Sequence, residues 1–86
     1  MKISIVENQI KETLILLKIR NDPFNPWFLR TIKFYEQASV NPTELNLKKL
    51  LGLSRAYLET LSDWSQDFFI ETDKTEELIK EHLKIK

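Results

Sequence analysis

The chain has no cysteine and one histidine, so disulfides, thiolate metal sites and cysteine nucleophiles are excluded. His82 has no second histidine or cysteine to join it at a metal centre, and it reads as a surface residue of a lysine-rich C-terminal helix. No charge of either sign is in excess: 13 basic residues face 13 acidic ones, so no global field draws the chain to nucleic acid or to an anionic membrane. Long hydrophobic runs are absent as well. The longest, Leu14 to Leu17, falls far short of the roughly 20 residues that span a bilayer. The first residues include Glu7, Asn8, Gln9, Lys11 and Glu12 and lack the apolar core of a signal peptide. A cytoplasmic protein with no membrane role is the expectation.

Glycine and proline are also scarce, one and three in 86 residues, which disfavours tight hairpins and favours helices. The apolar content of 42% with 30% charged residues belongs to a chain that folds. With no repeat and no flexible linker, one domain over residues 1–86 is expected. The fold class that follows is all-α, a compact bundle of four to five short helices.

Ile3, Val6, Ile10, Leu14 and Leu17 recur at steps of three and four and predict a first helix over about Ile5 to Arg20. Ile15, Leu16 and Ile19 widen the apolar face, which predicts a central position for that end. Asn21-Asp22-Pro23 stops it. Asn25-Pro26 reads as an N-cap with proline at the first helical position, opening a helix to about Gln37. The same signal at Asn41-Pro42, with Glu44 as capping-box partner, predicts a short helix to about Leu51, with Gly52 as its left-handed C-cap. Ser54 is expected to cap a fourth helix running to about Ile70. On it Tyr57, Leu61, Trp64 and Phe68 would form a buried stripe, and Glu59, Asp63, Asp67 and Glu71 an acidic ladder opposite. Thr72 or Asp73 would cap a last helix.

Residues Glu44 to Leu61 resemble a helix-turn-helix motif: Leu47, Leu50 and Leu51 on the first helix, Gly52-Leu53-Ser54 at the turn, and Leu58 on the second. The resemblance implies DNA binding, with Ser54 and Arg55 as the contacting residues. Charge argues the other way, because Arg55 is the second helix's only cation before Glu59 and Asp63, and phosphate contacts need cations. An ordinary connection between two helices has the same residues, so nucleic acid is the alternative partner.

No phosphate loop, nucleophile elbow, paired histidine motif or carboxylate pair in an apolar setting occurs, so no catalytic or cofactor site is expected, and no cofactor or metal. The remaining function is binding. The expected partner is another protein, with a copy of the chain itself among the candidates, in the manner of an adaptor, inhibitor, immunity-type factor or subunit. Phe24, Trp27, Phe28, Phe34 and Tyr35, interleaved with Arg30 and Lys33, read either as core or as a hydrophobic binding patch. Trp27, Phe28 and Tyr35 are the candidate anchors, since aromatics dominate binding hot spots. Glu59, Asp63 and Asp67 are the candidate docking face for a basic partner.

Overall fold

The structure, a computed structural model, describes residues 3–60 and 66–84. Among these residues it is all-α: α1 (Ile3–Ile19), α2 (Pro26–Val40), α3 (Glu44–Lys48), α4 (Leu53–Thr60) and α5 (Asp67–Leu83). The fold is a small bundle organised around α1, whose most extensive partners are α5 and α2. Val6, Ile10, Leu14 and Leu17 face inward from α1, meeting Trp27, Phe28 and Tyr35 of α2 and Phe68 and Ile79 of α5 in one hydrophobic core. Leu47, Leu50, Leu53 and Tyr57 close it from below α2. No helix among the described residues is long and apolar enough to cross a membrane.

Several boundaries follow the sequence signals. Asn25 caps α2 as expected: its side-chain oxygen accepts the Trp27 N–H at 3.0 Å, and Pro26 occupies the first helical position, where a missing amide costs nothing. Gly52 has a φ of +89°, the left-handed backbone expected of it, which glycine adopts without a steric penalty, but it is not the C-cap of α3, which ends at Lys48 with Lys49 as its cap rather than at Leu51.

Other boundaries differ. Asn41 does not cap α3, because its own N–H makes the last bond of α2, to the Gln37 carbonyl. The cap is Thr43, whose hydroxyl accepts the Asn46 N–H at 3.2 Å. With the cap moved by two residues, the box position holds Asn46 rather than Glu44. The predicted fourth helix is not continuous to Ile70. Its described part runs to Thr60, Gln66 is extended, and α5 begins at Asp67 and passes straight through Thr72 and Asp73, the expected caps; Leu61 and Trp64 of the expected stripe lie outside the described residues. Thr72 is instead a buried helical residue whose hydroxyl donates back to the Phe68 carbonyl at 2.6 Å. Ser54 lies inside the first turn of α4 and does not precede it. The C-terminal half of α1 is not central either, since Ile15 and Ile19 are exposed while Leu14 and Leu17 are buried.

Candidate functional site

The expected anchors lie in the core. Trp27 and Phe28 are each 3% exposed and Tyr35 is fully buried. The register set by the Asn25 cap turns all three toward α1, α4 and α5, where their area is spent on folding. Trp27 meets Phe28 edge-on at 5.0 Å and Tyr57 at 4.9 Å, and Phe68 packs on both Phe28 and Tyr57 at 5.0 and 5.1 Å. The Trp27 indole N–H donates to the Leu53 carbonyl at 2.7 Å, tying α2 to the start of α4. A partner cannot reach these rings without opening the core, so their role as surface anchors is corrected to a structural one.

The acidic ladder is not a continuous face. Glu59 is exposed on α4, Asp63 lies outside the described residues, and Asp67 and Glu71 belong to α5. Asp67 is paired with Arg20 at 2.9 Å across the end of α1. The hydrogen bond from that guanidinium, aided by the Phe68 N–H and then by the Arg20 charge, holds the Asp67 carboxyl below its ordinary range. Glu71 accepts the Gln9 side-chain amide at 2.7 Å. Two of the four carboxylates are thus engaged within the fold.

Gln9 opens a buried polar seam between α1 and α5. It also donates to Thr13 Oγ1 at 3.2 Å, and the Thr13 and Thr75 hydroxyls are 3.0 Å apart. Thr75 spends its single proton on the Glu71 carbonyl at 2.8 Å, so Thr13 is the donor between the two. Beside the seam, Thr31 Oγ1 and Tyr35 Oη are buried without a hydrogen bond among the described residues. Burial pushes the Tyr35 phenol far above its ordinary range.

The helix-turn-helix-like segment is held by a residue that the sequence reading passed over. Glu76, on α5 and only 6% exposed, accepts the Gly52 N–H at 2.8 Å and the Ser54 N–H at 2.9 Å, one on each carboxylate oxygen. A carboxylate at the start of a helix satisfies amides that lack intrahelical partners and complements the dipole. Ser54 is buried there, and Arg55 and Glu59 are the exposed charges of α4.

No family model matches this chain, and no curated protein or solved structure matches it either.

The surface must therefore speak for itself. Among the described residues no group of three or more histidines, cysteines or carboxylates is placed to hold a metal ion. A recess of about 540 Å³ is an open groove between the end of α2 and α3, lined by Glu36, Gln37, Val40, Asn41, Asn46 and Lys49. Asn46 already donates to the Asn41 carbonyl across it at 2.8 Å. The most exposed apolar residue is Phe24, at 94%, followed within the same part of the chain by Leu29 at 76%, with Ile15 and Ile19 also exposed. Phe24 is held in place by its N–H, which Asp22 Oδ1 accepts at 2.9 Å in an Asx turn.

Phe24 and Leu29 occupy the two positions that flank a helix start, the residue before the cap and the fourth helical residue. Apolar side chains at these positions usually pack on each other as a hydrophobic staple. Here both remain largely open to solvent. Ile15 and Ile19 are one turn apart on the outer side of α1, just before the connection that carries Phe24. Of the aromatic patch read from the sequence, Phe24 is the member on the surface, while Phe34 is half-buried.

Proposed function

We propose that this chain is a non-enzymatic protein-binding module whose contact surface is formed by Phe24 and Leu29. The observation that carries the reading is the open staple. Two large apolar side chains, placed where they would ordinarily cover each other, stand in water at the start of α2. Contiguous exposed apolar side chains mark interaction sites on folded proteins, and aromatic residues are enriched at interfaces. The partner is another polypeptide. The module acts as an adaptor, inhibitor or subunit, with no cofactor in its mechanism.

The DNA-binding reading has less to support it. A recognition helix needs cations on its outer side, and α4 offers Arg55 with Glu59 one turn later. The Gly52 and Ser54 amides that would be free to meet a phosphate are already bonded to Glu76.

The test is site-specific photocrosslinking in cells, with benzoylphenylalanine placed at Phe24, at Leu29 and, as a control, at exposed Lys74 on α5. Discrete adducts with another polypeptide from the first two positions and none from the third are expected. A chain that crosslinks equally from all three, or from none, has no binding surface here.

A further inference from the structure

Another recess, of about 340 Å³, lies between the start of α4 and α5. Its volume is at the lower end of the range in which proteins hold small molecules. Leu58 of α4 and Phe69 of α5 line it, and each is half-buried. Ser54, Arg55, Asp73 and Lys80 are among its polar residues. Ser54 is only 6% exposed, and its N–H is bonded to Glu76, but its hydroxyl makes no hydrogen bond among the described residues. A side-chain hydroxyl so nearly buried ordinarily has a partner.

The charged groups of the recess divide into those already used and those still open. Glu76 gives one oxygen to the Gly52 amide and the other to the Ser54 amide, and the Lys80 ammonium lies 3.7 Å from Glu77. Arg55 and Asp73 remain. They are exposed, come from different helices, and form no ion pair with each other or with another described residue. With the charges one turn away counted, Arg55, Lys80 and Lys84 stand against Glu59, Asp73, Glu76 and Glu77. So nearly balanced a setting favours neither a plain anion nor a plain cation. A molecule that carries both charges satisfies Arg55 and Asp73 together.

We infer that this recess binds a free α-amino acid with a large apolar side chain. The carboxylate of the ligand accepts from the Arg55 guanidinium and the Ser54 hydroxyl, its ammonium donates to the Asp73 carboxylate, and its side chain buries against Leu58 and Phe69. Charge-assisted hydrogen bonds of this kind are the strong ones, and the apolar contact adds to them. A peptide segment offers at most one of the two charges at either end and so fits less well. The site shares no residue with the Phe24 and Leu29 surface, and each stands or falls without the other.

The experiment titrates the full chain with L-leucine and with L-phenylalanine and follows the backbone amides by NMR. Saturable shifts are expected at Ser54, Arg55, Leu58, Phe69 and Asp73, with a dissociation constant of about 1 mM or tighter for at least one of the two. Three analogues of leucine test the parts of the site. Isocaproate lacks the ammonium, isoamylamine lacks the carboxylate and glycine lacks the apolar side chain, and each should bind about tenfold or more weakly. Arg55→Gln and Asp73→Asn should each weaken the binding about tenfold, while Lys74→Gln, on α5 outside the recess, leaves it unchanged. All three positions are exposed, and a helical spectrum confirms that each variant folds. Saturation by neither amino acid, shifts centred elsewhere, or binding that survives both Arg55→Gln and Asp73→Asn overturns the inference. Equal binding of isocaproate or of isoamylamine also overturns it, since the recess would then recognise a single charge, and equal binding of glycine does so by removing the role of Leu58 and Phe69.

Discussion

Replacing Glu76 by alanine is the most demanding test of how the two halves of this fold are joined. The carboxylate is almost wholly buried and receives two backbone amides from the turn between α3 and α4 at 2.8 and 2.9 Å. Hydrogen bonds to a charged group contribute about 1.5–3 kcal/mol each, part of which is offset by removing the carboxylate from water. Alanine leaves both amides without an acceptor, so Glu76→Ala is expected to cost about 2–4 kcal/mol. Glutamine keeps one acceptor but points an N–H₂ at the other amide, and Glu76→Gln should cost about 1–3 kcal/mol. For a chain of this size total stability is roughly 4–13 kcal/mol, so the alanine variant is expected to be visibly destabilised. Equilibrium unfolding in urea, followed by far-ultraviolet circular dichroism, measures the loss, with exposed Glu77→Ala as a control expected within about 0.5 kcal/mol of the parent. Hydrogen exchange at the Gly52 and Ser54 amides should accelerate in the same variant. A cost under about 1 kcal/mol, or unchanged exchange at those two amides, would refute the reasoning.

Three further outcomes follow from the geometry. Tyr35→Phe removes a buried hydroxyl that has no hydrogen-bond partner among the described residues, so stability should stay the same or rise by up to about 1 kcal/mol in urea unfolding; a loss of that size would mean that the phenol is bonded after all. Gly52→Ala should cost about 1–2 kcal/mol from the left-handed backbone alone, because a Cβ at that position meets no atom within 4 Å; a neutral result would mean that the turn relaxes. In a carboxyl titration by NMR, Asp67 should titrate below the usual aspartate range and move back toward it in Arg20→Gln. Since the folded state lowers this group's affinity for protons, its contribution to stability is present above the ordinary aspartate range and is lost as pH falls through the lowered value. Both partners are exposed, so the effect on stability is small.

The helical class was legible because it depends on composition and spacing, which a sequence displays directly. The α1 core face of Val6, Ile10, Leu14 and Leu17 and the Asn25-Pro26 start of α2 are both local patterns, and both occur as read. The misplaced boundaries arose where two local signals competed. Asn41 and Thr43 are both good caps, and what decided between them was whether α2 still needed the Asn41 amide for its last turn. Thr72 and Asp73 look like a helix start, yet they sit within α5, because a threonine hydroxyl can return to a carbonyl of its own helix and a buried seam with α1 rewards it for doing so. Glu76 was invisible for a different reason. Nothing in sequence marks a carboxylate whose acceptors are used by amides 22 and 24 residues earlier.

The same distinction explains why the candidate surface was only half legible. An aromatic-rich segment from Phe24 to Tyr35 is equally good as core or as patch when its composition alone is weighed, and the outcome depends on phase. Asn25 fixes that phase: once it caps, Trp27, Phe28, Thr31, Tyr35 and Ala38 share the buried side of α2, and Leu29, Lys33 and Val40 are left on the outer one. Phe24, before the cap, is outside the helix and free of that phase. Its natural cover is Leu29, by the staple rule, and the rule could have been applied from the cap position alone. What no local rule supplies is whether the two side chains close on each other. Their exposure sets a consequence that distinguishes a vacant staple from an idle one: Phe24→Ala and Leu29→Ala should each leave stability within about 0.5 kcal/mol of the parent, as for any surface change. Double substitution should then add without coupling, since residues that do not pack on each other have no shared energy to lose. A coupling of about 1 kcal/mol between the two would mean that the staple is closed in solution, and the surface proposed for a partner would be covered by the chain's own side chains.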